Sequence, residues 1–133
     1  MSVDPEQLKA EGWRCHVGTN FNAAGGPFWM FGRHDTRVAG LIVEEKHTNN
    51  AGKLHGGALM TFADIALGSG AADAFGHNQC VTAQLQLQFV SGAKIGEFIT
   101  CKPEVVRHTK SLVFVRGLFI AGDRTIASAD GIW

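Results

Sequence analysis

Two features of the sequence could carry chemistry: a glycine-rich turn, and a lone carboxylate in the apolar stretch that follows it. The turn covers residues 49–57, Asn-Asn-Ala-Gly-Lys-Leu-His-Gly-Gly, and ends where a long helix is predicted to begin. The amides of Gly56 and Gly57 at a helix start lack intrahelical acceptors, so they can stabilise negative charge that develops on a carbonyl oxygen. The turn is therefore a candidate oxyanion hole. A glycine-rich entry into a helix with no ligand is the alternative interpretation.

The lone carboxylate is Asp64. An aspartate in the middle of a helix lowers helix propensity and is costly to bury without a partner. At helical spacing its neighbours are small or neutral: Gly57, Met60, Thr61, Gly68 and Ala71. Asp64 is therefore either a solvated surface residue or a functional group beside a groove of small side chains.

The spacing between these two features limits how they can cooperate. Gly56 and Asp64 lie about 12 Å apart along a helix axis and about 80° apart around it. The Asp64 carboxylate therefore cannot reach a ligand atom held at the start of its own helix. A single site that uses both residues needs two chains, and antiparallel pairing of two such helices would bring Asp64 of one chain to Gly56 of the other.

The elements that position these residues follow from the periodicity of apolar side chains. A long helix is predicted over residues 56–75, and its apolar side carries Leu59, Ala63, Ala66, Leu67 and Gly70. A short helix is predicted at about residues 5–11, because Asp4 can cap it and Pro5 suits its first position. The stretch over residues 18–27 is predicted to be a loop.

Strand patterns fill most of the remaining chain, at residues 28–34, 37–44, 80–90, 97–108, 111–121 and 124–133. The alternation is clearest between Ala83 and Phe89, where glutamines occupy one face and apolar residues the other. The order is a helix, two strands, one long helix and four strands. It predicts an α+β fold in which an antiparallel sheet wraps around one long central helix.

Composition narrows the class of protein. The 133 residues include 45% apolar residues, and 12 basic side chains balance 12 acidic ones. These values predict a single globular domain over residues 1–133 and give no basic surface for nucleic acid. Cys15, Cys80 and Cys101 have no paired spacing, and the histidines have no ligand-like spacing, so neither disulfides nor a metal site is expected. With no apolar run of about 18 residues, we expect a cytoplasmic protein without membrane contact.

The motif Asn50-Ala-Gly-Lys-Leu-His55-Gly56-Gly57, with Asp64 seven residues further on, resembles the hotdog-fold thioesterases. Within them it resembles the phenylacetate-pathway (PaaI-like) group, which acts on acyl-CoA. The likeness covers nearly the whole chain, since the order of strands and helix matches. Thr82 and residues 89–97 also fall where that group has similar segments.

The resemblance implies a role for each matching residue. Asp64 would be the nucleophile or general base, and the Gly56 amide would polarise the thioester carbonyl. Asn50 would position the attacking water or the carbonyl. His55 would shape the helix start and assist by hydrogen bonding, and Thr82 would lie near the water.

The same resemblance implies how substrate is held. Gly57, Met60 and Phe62 would contact it, although aromatic residues such as Phe62 are also typical of a core. Arg107 and Lys110 would meet the phosphates of coenzyme A. No cofactor is implied beyond the coenzyme A of the substrate, and the expected assembly is a homodimer or homotetramer with sites at the subunit interface.

The predicted function is hydrolysis of an aryl- or medium-chain acyl-CoA to a free acid and coenzyme A. One alternative is a hydratase or dehydratase on the same fold. That activity would normally use a histidine and an acid at a proline-rich helix start, whereas this chain has no proline between Pro27 and Pro103. The other alternative is a non-catalytic acyl-CoA-binding module, and the residue that discriminates is Asp64.

Overall fold

Eight antiparallel strands and one long helix dominate the computed structural model, which describes residues 2–133. The helices are α1 (Pro5–Ala10), α2 (Asn20–Gly25) and α3 (Gly56–Phe75). The strands are β1 (Arg14–His16), β2 (Phe28–Phe31), β3 (Val38–Ile42), β4 (Gln84–Phe89), β5 (Phe98–Cys101), β6 (Glu104–His108), β7 (Val113–Ala121) and β8 (Arg124–Ile132). Short 3-10 turns occupy His34–Thr36 and Glu45–His47.

All strands belong to one sheet, in the order β1-β2-β3-β5-β7-β8-β4, with β6 paired to β7 beside this path. Every pairing is antiparallel. The sheet curves around α3, whose side chains fill its inner face. The predicted α+β architecture of a sheet wrapped around one central helix is confirmed.

The predicted limits and buried side of α3 are confirmed as well. Its buried positions are Leu59, Phe62, Ala63, Ala66, Leu67, Gly70 and Ala71. The helix ends at Gly76, whose positive φ of 80° gives the left-handed cap that glycine favours. The sheet approaches α3 closely at Gly70, which has no side chain. A Cβ there would lie only 2.8 Å from the Pro103 Cβ, which is too close.

The core centres on the ring of Phe62. Phe28 stacks beside it at a centroid distance of 6.2 Å, and Phe119 meets it edge-on at 5.5 Å. Phe62 and Phe119 are fully buried. Among the three cysteines, only Cys101 is buried, and its burial raises the pKa of the thiol to about 12.

Three details of the predicted element order are wrong. The predicted loop over residues 18–27 contains helix α2, which buries none of its residues and so leaves no apolar period to detect. Strand β1 has only three residues, too few to show alternation. The predicted strand over residues 97–108 divides into β5 and β6 at Pro103, which has no amide hydrogen for the ladder. Five strands therefore follow α3, and three precede it.

No helix in the described part of the chain is both long enough and apolar enough to cross a membrane.

Candidate active site

The start of α3 is a histidine N-cap followed by two glycines. His55 is the N-cap, and its Nδ1 accepts a hydrogen bond of 2.8 Å from the Gly57 amide. Its carbonyl oxygen accepts another from the amide of Leu59 at 3.1 Å. Within residues 2–133, no such partner is found for the Gly56 amide. His55 thus uses the second glycine amide and leaves the first for a ligand.

Packing within the chain does not explain why residue 56 is glycine. Gly56 has helical backbone geometry, which any residue can adopt. A Cβ there would lie 3.6 Å from the Phe89 ring, an ordinary van der Waals contact. The missing side chain keeps the surface beside the free amide open, as close approach of a ligand requires.

The turn before α3 is closed by the first of its two asparagines. The Asn49 side-chain oxygen accepts hydrogen bonds from the amides of Ala51 (2.9 Å) and Lys53 (3.1 Å). Asn50 is exposed at the tip of this turn. Asparagine side chains often accept hydrogen bonds from amides of their own turn. The Asn-Asn pair in the sequence was therefore a signal that this turn is closed by a side chain.

A buried histidine anchors the same turn to the rest of the fold. His47 Nε2 lies 2.7 Å from the Gly25 carbonyl oxygen, and its Nδ1 accepts from the amide of Glu44 at 2.9 Å. The His47 carbonyl oxygen accepts a hydrogen bond from the His55 amide at 2.7 Å. The start of α3 is therefore tied to α2 through one side chain, which holds the candidate oxyanion site in place.

The structure brings Asp64 and Thr82 into contact. The Thr82 hydroxyl donates a hydrogen bond of 2.5 Å to Asp64 Oδ1, within the range for a hydroxyl and a carboxylate. Asp64 is half-buried on α3, and Thr82 lies just before β4. In the described chain, Asp64 forms no ion pair with a lysine, arginine or histidine. Its second oxygen, Oδ2, has no hydrogen-bond partner within the described residues.

A second carboxylate on α3 has the opposite surroundings. Asp73 accepts two hydrogen bonds from the Arg37 guanidinium, 2.6 Å from Nε and 2.9 Å from Nη2. Both side chains are mostly buried, with 16% and 18% of their surface exposed. This bidentate pair ties α3 to the chain segment that enters β3.

The free amide and the unpaired carboxylate lie at opposite ends of β4. Gly56 is beside Phe89, the last residue of the strand, whereas Asp64 is bonded to Thr82, which precedes its first residue. The structure therefore agrees with the helical spacing, and one chain does not bring the two groups together.

The other predicted site residues fall into three environments. Gly57 is exposed and Met60 half-buried near the start of α3, whereas Phe62 lies in the core, out of reach of solvent in a single chain. Arg107 on β6 and Lys110 in the turn after it are exposed.

The strand pairing shows at which end of the sheet Arg107 lies. Arg107 on β6 is opposite Phe114 on β7, which is opposite Ile132 on β8, which in turn is opposite Gln84 on β4. Arg107 therefore lies at the Thr82 end of β4, far from Gly56 of the same chain.

An apolar groove of about 460 Å³ opens beside Gly56. Its lining includes Leu54, Leu59, Phe89, Ala93 and Ile126. Among residues 2–133, no cluster of three or more histidine, cysteine, aspartate or glutamate side chains has the arrangement to hold a metal ion.

Comparison with known proteins gives consistent matches. The model of the thioesterase superfamily matches residues 51–128, from the glycine-rich turn to β8. A Pseudomonas aeruginosa protein provisionally named an esterase is 35% identical over 112 residues, which cover 81% of this chain and 82% of that protein. Acyl-coenzyme A thioesterase 13 of Mus musculus is 37% identical over 81 residues, which cover 58% of this chain and 55% of that protein.

Solved structures share the fold. Zebra fish thioesterase superfamily member 2 superposes with a TM-score of 0.78 at 23% identity, covering 86% of each chain. The PaaI protein of E. coli gives a TM-score of 0.66 at 18% identity, covering 97% of this chain and 83% of that one. The central helix, the curved sheet and the family match together identify the hotdog fold. The chain belongs to the thioesterase superfamily and is a thioester hydrolase.

Proposed function

We propose that the protein hydrolyses acyl-CoA thioesters to a free acid and coenzyme A at a site shared by two copies of the chain. The observation that carries this proposal is the Asp64 carboxylate, which is held by a neutral hydroxyl and has no cationic partner in the described chain. The name of the mouse relative, acyl-coenzyme A thioesterase 13, supports a coenzyme A ester as the substrate.

The reaction needs a base for water and a donor for the developing oxyanion. Asp64 removes a proton from a water molecule, and the hydroxide attacks the thioester carbonyl carbon. The Gly56 amide donates to the carbonyl oxygen while its negative charge grows. When the C–S bond breaks, the proton held by Asp64 passes to the thiolate, so the products are a carboxylic acid and a thiol.

Thr82 is a positioning residue in this mechanism. Its hydroxyl donates to Asp64 Oδ1 and so leaves Oδ2 for the water. We assign His55 to holding the helix start through its bond to Gly57, which directs the Gly56 amide outward. Asn50 at the exposed turn is assigned to the water or the carbonyl.

Two chains are needed because of the separation along β4. This strand pairs only with β8 among the described strands and leaves its other edge open. Open edges are templates for pairing, and two β4 strands joined about a two-fold axis run antiparallel. That pairing brings the Phe89 and Gly56 end of one chain to the Thr82 end of the other. The minimal assembly is thus a homodimer with two sites, and a homotetramer would hold two such dimers.

The remaining predicted contacts fit the same arrangement. Gly57 and Met60, near the start of α3, would contact the ester, and Phe62 would act only from the core behind it. Arg107 and Lys110 lie at the Thr82 end and would meet the phosphates of coenzyme A. The acyl group is proposed to be aryl or medium-chain, because the groove beside Gly56 is mainly apolar.

Release of free thiol from a panel of aryl- and acyl-CoA esters tests the activity. The wild type should release thiol, whereas Asp64→Asn should bind the esters with little turnover. Asp73→Asn is the matched control, since it removes a carboxylate from the same helix. Binding without turnover by the wild type would favour an acyl-CoA-binding module instead.

Mixed dimers test the shared site. Chains with Asp64→Asn and chains with Gly56→Val should each be inactive alone. In a mixed dimer one site carries both changes and the other carries neither, so about half the activity per dimer should return. No recovery in mixed dimers verified by mass would contradict a site built from two chains.

A further inference from the structure

Phe89 is an aromatic side chain that the fold leaves uncovered. Along β4 it follows Leu85 and Leu87 at alternate positions, so it lies on the sheet face that carries α3. Those two leucines pack against the core, but 57% of the Phe89 surface is exposed. The residue opposite its ring is Gly56, which has no side chain to cover it.

The groove beside this ring offers apolar contact. Leu54, Leu59 and Ile126 lie along its floor, and all three are buried. Its volume of about 460 Å³ falls in the range typical of small-molecule sites. The groove and the ring therefore form one apolar surface that begins at the Gly56 amide.

Two of the polar side chains at the rim of the groove, Ser91 and Asn49, already have partners within the chain, whereas the lysine that also lines it, Lys53, forms no ion pair in the described residues. The Ser91 hydroxyl donates to the Thr125 carbonyl oxygen at 2.7 Å. The Asn49 side-chain oxygen accepts from two amides of its own turn. A neutral polar substituent therefore gains little from Ser91 or Asn49, whereas an apolar one gains contact area.

We propose that this groove receives the apolar acyl group of the substrate and that the Phe89 ring determines which acyl groups are accepted. The inference rests on the proposed function, because a carbonyl oxygen bound at the Gly56 amide directs the adjoining acyl carbons into the groove. Phe89 is a specificity-determining residue here and takes no part in the chemical step. Acyl groups that reach the ring, such as hexanoyl and phenylacetyl, depend on it, and acetyl does not.

The test compares three esters: acetyl-CoA, hexanoyl-CoA and phenylacetyl-CoA. Phe89→Ala should lower kcat/KM for the two larger esters about tenfold and leave acetyl-CoA within about threefold of the wild type. Phe89→Leu should retain most of the preference for hexanoyl-CoA and lose more for phenylacetyl-CoA, because it keeps aliphatic but not aromatic contact.

The matched control is Leu118→Ala. Leu118 is also an exposed apolar residue, but it lies on the other face of the sheet from the groove. It should leave the ranking of the three esters unchanged. The mass of each variant in solution is measured in parallel, since Phe89 also lies at the end of the open edge of β4.

Several results would overturn the inference. An equal loss for all three esters in Phe89→Ala, with the dimer intact, would show that the ring does not select acyl groups. Dissociation of both Phe89 variants would assign the ring to subunit contact instead. Wild-type turnover with no preference among the esters would reject this inference alone, whereas no wild-type turnover of any ester would reject the proposed function.

Discussion

Helix α3 carries two carboxylates whose surroundings differ in kind. Asp73 is mostly buried and accepts both bonds of a bidentate pair with Arg37. Asp64 lies two and a half turns earlier and is bonded to the neutral hydroxyl of Thr82. A carboxylate bound by a guanidinium is occupied on both oxygens and holds the fold together. A carboxylate with one neutral donor keeps its second oxygen for a substrate.

The glycines near the two ends of α3 differ in the same way. A Cβ at Gly70 would lie 2.8 Å from the Pro103 Cβ, so close packing with the β5–β6 turn requires glycine there. A Cβ at Gly56 would make only ordinary contact. Packing within the chain thus explains the glycine at position 70. It does not explain the glycine at position 56, where a side chain would fit.

The sharpest test of this contrast is Asp64→Asn. The amide keeps the shape of the carboxylate but cannot remove a proton from water, so kcat should fall about 1,000-fold. Unfolding in urea should be nearly unchanged. The contrast between the two carboxylates breaks down if this variant turns over esters at the wild-type rate.

The reciprocal change is Asp73→Asn. Removing one charge of the mostly buried pair with Arg37 should lower the free energy of unfolding by about 2 kcal/mol. Thioester turnover per folded molecule should stay near the wild-type value. Urea denaturation and the thiol-release assay on the same sample separate the two effects. If this variant were stable but inactive, the chemistry would depend on Asp73 and not only on Asp64, and the contrast between the two carboxylates would be wrong.

The glycine contrast is tested by the pair Gly70→Ala and Gly56→Ala. Gly70→Ala gains helix propensity but overpacks against Pro103, for a net loss of about 1 kcal/mol of stability. Gly56→Ala should unfold like the wild type, while its methyl group crowds the carbonyl site and lowers kcat/KM about tenfold. Equal stability losses in both variants would remove the distinction between a packed end and an open end.

The smallest effect is expected for Thr82→Val. Valine keeps the shape of threonine and removes the hydroxyl that orients Asp64, so kcat should fall about fivefold, with KM little changed. Thr82→Ser keeps the hydroxyl and should recover most of the rate. If Thr82→Ser is as slow as Thr82→Val, the hydroxyl does not position the Asp64 carboxylate.

Much of the fold could be predicted because its strongest signals are local. The limits of α3 follow from an apolar side that repeats at helical spacing and from Gly76 just beyond the last turn. The alternation of glutamines and leucines likewise identifies β4. Helix α2 and strand β1 escaped prediction because one buries no residue and the other has only three.

The site was less accessible from the sequence because it depends on contacts between distant segments. The spacing of Gly56 and Asp64 showed that one chain could not join them. The bond between Asp64 and Thr82, however, joins residues 18 positions apart, and the family resemblance implied only that Thr82 lies near the water. The ion pair of Arg37 and Asp73 joins residues 36 positions apart and left no trace in the local pattern.

The position of β4 in the sheet also predicts when this strand forms during folding. Among the described strands its one partner is β8, so roughly forty residues of chain must close before β4 gains its hydrogen bonds. Thr82 precedes this strand and Phe89 ends it, so we expect both to acquire their positions when β4 pairs with β8. Amide protons of β4 and β8 should therefore become protected against exchange together during refolding, after the helical amides of α3.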